Sequence, residues 1–169
     1  MADVGDVKAL IAGEKYREAG KLLDALLRER ETHELWYLRG LVSLKLRNYD
    51  DAIEDFERAN SLKKTALYCR MKGIARMERF ELEGAMEDFA ESLRLEPNDL
   101  LSNFYMAMCY MFMDDPKSAA YLKKAFAIDR ERAKSLLKNF YVMFFRKDPL
   151  ISKALKEDLE RRIDRIKTN

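Results

Sequence analysis

Apolar residues in this chain recur three and four positions apart, in stretches of about a dozen residues divided by short polar turns. That spacing predicts amphipathic helices throughout. Val4, Val7, Leu10 and Ile11 mark a helix over 4–12, and Gly13-Glu14-Lys15 is the turn before a second running from Tyr16 to about Arg30. Glu31-Thr32-His33 then opens a third, on which Trp36 and Gly40 stand, followed by a fourth with Tyr49, Ala52, Phe56, Ala59 and Leu62. Further on, Pro97 ends one helix. Asp115-Pro116 supplies an N-cap and a first helical residue for another, and Asp148-Pro149 separates a helix over 132–146 from a last one over 149–167.

The third and fourth helices are written twice. Trp36, Gly40, Tyr49, Ala52, Phe56, Ala59 and Leu62 return 33 residues later as Cys69, Gly73, Leu82, Ala85, Phe89, Ser92 and Leu95. Tyr16, Ala19, Leu23 and Leu26 form an earlier, degenerate copy. Ala107, Ser118, Leu122, Ala125 and Ile128 form a later one, provided one residue is deleted at the Asp115-Pro116 turn. A period of 33–34 marks stacked two-helix repeats. Where two helices cross at about 8–10 Å a side-chain branch would hold them apart, so Gly40 and Gly73 are expected at close helix crossings. A large residue then Gly on the first helix, a tyrosine-like residue after the turn, then Ala, an aromatic, a small residue and Pro is the order in which this sequence resembles the tetratricopeptide repeat. The expected fold is therefore all-α, a right-handed superhelix of about five antiparallel helix pairs forming one domain over 1–169. The pairs fall at about 3–32, 33–65, 66–99, 100–132 and 133–167. The last departs from the pattern, since Phe140 stands where the small residue belongs. Its final helix, apolar at Leu150, Ile151, Leu155, Leu159, Ile163 and Ile166 and charged on the other side, suits a terminal cap.

Composition narrows the class. With 48% hydrophobic and 37% charged residues, the 169-residue chain has the make-up of a folded helical domain, and its three prolines and six glycines leave few breaks. Glutamine is absent while Lys, Arg and Glu abound, a bias shared with proteins of hot-living organisms. No apolar run reaches the ~20 residues of a membrane span, and an acidic start, Met1-Ala2-Asp3, is unlike a secretory signal, so a cytoplasmic protein is expected. Cys69 and Cys109 lie far apart without a CxxC and read as buried free thiols.

No phosphate loop, metal-ligand cluster or nucleophile motif is present, so the sequence points away from an enzyme, and from cofactors or metals. His33, the only histidine, is expected to be a solvated loop residue, and the Asp50-Asp51 and Glu87-Asp88 pairs to be solvated charge on outer helical turns. The family resemblance implies that the first helix of each pair lines a concave groove holding a peptide or helix of a partner protein. In the repeat register that groove is lined by Tyr37, Leu41, Leu44 and Lys45, by Arg70, Ile74, Met77 and Glu78, by Phe104, Met108, Met111 and Phe112, and by Tyr141. Members that clamp a C-terminal carboxylate use Lys, Asn and Arg at such places; here only Arg70 suits. Two alternatives stand beside an open groove. The C-terminal helices of a self-associating chain fill it, or residues 117–169, with 15 basic and 7 acidic side chains against 17 and 23 in residues 1–116, touch nucleic acid.

Overall fold

A computed structural model describes residues 3–166, and among them every regular element is an α-helix. None is long and apolar enough to cross a membrane. The chain divides into two compact units, Met1–Pro97 and Asn98–Asn169. In the first, α1 (Val4–Ala12), α2 (Tyr16–Glu29), α3 (His33–Lys45), α4 (Tyr49–Leu62), α5 (Ala66–Glu78) and α6 (Leu82–Leu95) each pack on the next, α3 on α4 and α5 on α6 most extensively. The second holds α7 (Leu100–Phe112), α8 (Lys117–Ile128), α9 (Arg130–Phe144) and α10 (Lys153–Asp164). There α7 packs closely on α8, and α9 touches α7, α8 and α10.

Start signals separate the two helices of a pair. The first helices are capped by side chains: Thr32 accepts from the Leu35 amide at 3.3 Å, Thr65 from Tyr68 at 3.1 Å, Asp99 from Ser102 at 2.9 Å and Asp129 from Arg132 at 3.0 Å. Each satisfies an amide that the helix itself leaves open. The second helices α2, α4 and α6 begin without a side-chain cap, directly from the turn before them, while at α8 the Asp115 carboxylate accepts from the Lys117 amide at 2.8 Å. That turn is the same each time. One residue lies in the left-handed region, Glu14 (φ 56°), Arg47 (62°), Phe80 (60°) or Asp114 (53°). The next amide reaches back five residues: Lys15 to the Leu10 carbonyl, Asn48 to Ser43, Glu81 to Arg76 and Asp115 to Tyr110, all at 2.9–3.0 Å. With the accompanying bond from each left-handed residue to the carbonyl three back, this closes a Schellman turn at the ends of α1, α3, α5 and α7.

Pairs then close on glycine. A Cβ built on Gly40 would lie 2.7 Å from Phe56 Cε1, and one on Gly73 would lie 2.8 Å from Phe89 Cε1 and 3.1 Å from the Ala85 carbonyl. Both rings are fully buried, so the expected packing role of the two glycines holds. At the matching place in the second unit, Ala107 is fully buried.

The last pair differs from expectation at its edges. Asp129 caps α9, which starts at Arg130 rather than 132. Asp148 accepts from the Leu150 amide at 2.8 Å, much as Asp115 does from Lys117, but the chain turns once more before Ser152 caps α10. The helix therefore starts at Lys153 and not 149, and its expected end at 167 lies outside the described residues, as do Met1 and Ala2.

A left-handed non-glycine residue costs roughly 1–2 kcal/mol, part of which is returned by its lower chain entropy when unfolded. Arg47, exposed at its turn, is expected to gain about 0.5–1 kcal/mol of stability when changed to Gly and nothing when changed to Ala. Denaturant melts of both variants check this; equal stabilities would contradict it.

Candidate partner-binding faces

On α3, Tyr37, Leu41 and Leu44 follow one another at i, i+4 and i+7, which puts them on one face. All three are half-buried, packed with Ile53 and Met71 against a core of Ala52, Phe56 and Ala75. The Tyr37 ring lies 5.2 Å from that of Tyr68 on α5 and 6.1 Å from Phe56, which ties the two first helices together. Burial pushes the Tyr37 phenol up from its ordinary value, against the opposing charge of Arg70. Arg70 and Ile74 on α5 are half-buried, Met77 is buried, and Lys45 and Glu78 are exposed at the helix ends. Glu78 also accepts from the Tyr49 hydroxyl at 3.4 Å. The unit thus presents a half-covered apolar face with a charge of each sign at its edge.

His33 belongs to this face, contrary to the solvated loop residue expected. It is the first residue of α3 and half-buried, with Nδ1 2.8 Å from the Tyr68 hydroxyl and its ring 5.9 Å from that of Tyr68. Its partner comes from the next repeat, 35 residues on, which local sequence does not announce.

Behind the face, the α3–α4 and α5–α6 pairs each bury an aspartate. Asp55, 1% exposed, receives Arg39 in a fork, Nε at 3.0 and 3.1 Å and Nη2 at 2.6 Å. Arg39 also reaches Asp24 on α2 at 3.3 Å and covers the Trp36 ring at 4.4 Å, so one guanidinium joins three helices. Asp88, 33 residues on, is 7% exposed and held by Arg76 at 2.8 Å and Lys72 at 3.1 Å. This corrects the reading of Asp88 as solvated charge. Burial pushes both carboxyls upward and the facing cations pull them back. An acidic residue directly before the aromatic in both copies was the available signal. Both cysteines are buried free thiols, as expected; burial raises that of Cys69 and pushes that of Cys109 up to about 12, leaving neither as a ready nucleophile. Among the described residues no group of His, Cys, Asp and Glu is placed to hold a metal.

In the second unit the predicted residues divide by depth. Phe104 and Met108 are 2% and 1% exposed, with the Phe104 ring edge-on to Phe140 at 6.4 Å. They belong to the interior, not to the open face expected of them. Phe140 extends that interior through ring contacts to Phe112, Phe144 and Phe145. Met111, Phe112 and Tyr141 do meet, in an apolar cleft of about 660 Å³ whose other walls include Leu137 of α9 and Leu159 and Ile163 of α10.

Removing Arg39 tests the buried pair. Breaking such a pair costs roughly 3–5 kcal/mol when fully buried, and with Arg39 about a third exposed solvent screening reduces the expectation for Arg39→Met to ~2 kcal/mol at pH 7. Burial alone then holds the Asp55 carboxyl above its unfolded value, so the folded state takes up a proton more readily than the unfolded one. The deficit is smallest below about pH 4 and grows as pH rises through the folded value. Urea melts of parent and variant at pH 4 and pH 7 measure it, and an equal deficit at both would contradict the assignment.

A family model, the tetratricopeptide repeat, matches residues 33–65. No curated protein sequence matches the chain. Among solved structures, the chain is similar to YrrB, described as a tetratricopeptide protein with an unusual peptide-binding site, at 24% identity over 79% of this chain and 72% of that one, with a TM-score of 0.70. It is also similar to MamA, at 16% identity over 97% and 92% of the two chains and a TM-score of 0.72. A fragment of MamA from Desulfovibrio magneticus RS-1, from residue 41 to its end, aligns at 23% identity over 74% and 72%, with a TM-score of 0.70. At these identities the likeness is one of fold.

Proposed function

We infer that this chain, a tetratricopeptide-repeat protein by its repeat at 33–65 and by its fold, is a non-enzymatic interaction module that holds an extended or helical segment of a partner protein on the faces of its first helices. The observation that carries this is the α3–α5 face. Tyr37, Leu41 and Leu44 are half-buried and packed against the core, and Ile74 is half-buried on α5, so they offer apolar area already ordered, which lowers the entropic cost of association. YrrB, with its peptide-binding site, lends the reading support by analogy of fold. The nucleic-acid alternative loses weight in the second unit, where Lys138, Lys153, Arg161 and Arg162 are spent in ion pairs with Asp164, Glu157 and Asp158.

Magnitudes set the expected strength. Three Leu-sized anchors gain roughly 5–9 kcal/mol by burial, less about 2–5 kcal/mol for ordering the bound segment. The remainder corresponds to a weak complex, about 10 μM at best. Charged contacts at the edge, Lys45 and Glu78, then set register and specificity.

Two variants separate binding from folding. The exchange Lys45→Glu with Glu78→Lys alters exposed side chains and is expected to change stability by no more than about 0.5 kcal/mol, while weakening capture of partners from the native lysate and altering its salt dependence. Ile74→Asp, with its helical circular dichroism retained, is expected to abolish capture. Retention of the same captured proteins by both folded variants would overturn the α3–α5 face as the binding site.

A further inference from the structure

Where α3 meets α4, or α5 meets α6, a phenylalanine fills the space against a glycine, but no side chain fills the cleft of about 660 Å³ between α10, α9 and the end of α7. Protein interiors normally lack such gaps, because side chains that line one forgo dispersion contacts. Directional bonds at both ends of α10 hold this one open. Near the start of the helix, the Tyr141 hydroxyl donates to the Lys156 carbonyl at 2.9 Å. At its far end, Lys134 Nζ donates to the Asp164 and Ile166 carbonyls, and Lys138 Nζ meets the Asp164 carboxylate, each at 2.9 Å. The helix is thus tied to α9 by polar groups at its ends and leaves the apolar space between them.

Shape and polarity restrict what fits that space. Its volume lies within the roughly 300–1,000 Å³ of small-molecule sites. Leu159, Ile163 and Ile166 line it at i, i+4 and i+7, a rise of about 10 Å along the helix axis, so the apolar surface is elongated. Phe112, Phe140 and Phe145 form much of the remaining wall, and the Tyr141 hydroxyl is already spent on Lys156. Water finds few partners in such a place. Among the described residues that line it, one is charged: Arg162, at i+3 from Leu159 and i−4 from Ile166, hence on the lining face of α10. Its Nε lies 2.7 Å from the Asp158 carboxylate, and its two Nη groups have no partner among the described residues. Those groups offer parallel donors of the kind a carboxylate accepts in bidentate fashion. No acidic side chain among the described lining residues opposes an anion there, and residues 117–169 carry 15 basic against 7 acidic side chains.

We propose that this cleft binds a medium-chain fatty acid, its alkyl chain along Leu159, Ile163 and Ile166 and its carboxylate on the Nη groups of Arg162. A purely apolar molecule would leave the guanidinium unused. A peptide would carry backbone amides and carbonyls into a space with no group to satisfy them, which costs free energy for each. An alkyl chain fills an elongated apolar space without adding a polar atom, and the long stem of Arg162 lets its charged end stay at the wet mouth. The site shares no residue with the α3–α5 face, so each stands or falls by its own test.

Isothermal titration of the unmodified full chain with octanoate, decanoate and dodecanoate, below their micelle-forming concentrations, tests this directly. One molecule is expected to bind per chain, with affinity rising about fourfold for each added methylene. Decanol is expected to bind at least ~10-fold more weakly than decanoate, since it loses the charged hydrogen bonds. Arg162→Met, a change at an exposed side chain, is expected to bring decanoate down to the affinity of decanol and to leave decanol unchanged. Leu159→Trp fills the cleft from its own wall, and is expected to weaken both ligands at least ~10-fold while raising the melting temperature, as cavity filling does. The proposal is overturned if decanoate does not bind, if affinity is independent of chain length, if decanol binds as tightly as decanoate, or if folded Leu159→Trp binds like the parent. Should Leu159→Trp not fold, the chain-length series and Arg162→Met decide.

Discussion

The close approach of Gly40 to Phe56 and of Gly73 to Phe89 is the constraint on which the first unit depends. A phenylalanine ring packed against a glycine brings two helices nearer than any side chain at that position would allow, and glycine inside a helix, at roughly 1 kcal/mol against alanine, is tolerated because the buried ring more than offsets it. Once the crossing is set, the polypeptide must reverse within a few residues. The repeated left-handed turn at Glu14, Arg47 and Phe80 does this with one geometry each time. Each first helix then presents its outer face in the same register, so Tyr37 and Tyr68 from successive repeats come within ring contact.

Buried charge reinforces that arrangement. Asp55 and Asp88 lie where the helices of a pair meet, and each is satisfied by cations from the other helix. A buried ion pair adds little net stability against an apolar alternative, but its directional bonds disfavour other registers. The α3–α5 face is thereby rigid, which suits recognition by a preformed surface. The second unit uses neither device in its last pair. Phe140 occupies the place of the small residue, its ring joins a cluster of aromatics, and α10 rests across an unfilled cleft. The same architecture thus carries closely packed helix pairs in one unit and a loosely covered last pair in the other.

Much of this was legible in the sequence for a physical reason. Repeats impose the same packing problem twice, so Gly40 and Gly73, or Phe56 and Phe89, testify for each other. What stayed hidden depends on side chains without a compositional signature. The left-handed positions carry Glu, Arg, Phe and Asp in place of the glycine that would mark them. His33 is defined by a hydroxyl 35 residues away. The depth of Phe104 and Met108 could not be separated from that of Met111 and Phe112, because an apolar stripe on a helix looks the same whether it is covered or open. The start of α10 was misplaced because Asp148-Pro149 has the same letters as Asp115-Pro116, while Ser152 provides the cap actually used.

A double-mutant cycle on Gly73 and Phe89 tests the central constraint most directly. Gly73→Ala drives a methyl into the ring, Phe89→Leu removes the ring, and the two together relieve the clash that either residue alone creates or suffers. The account predicts that the double variant is less destabilised than the sum of the single ones by at least about 1 kcal/mol. Additivity to within about 0.5 kcal/mol would mean that glycine and ring do not set the crossing, and would contradict it.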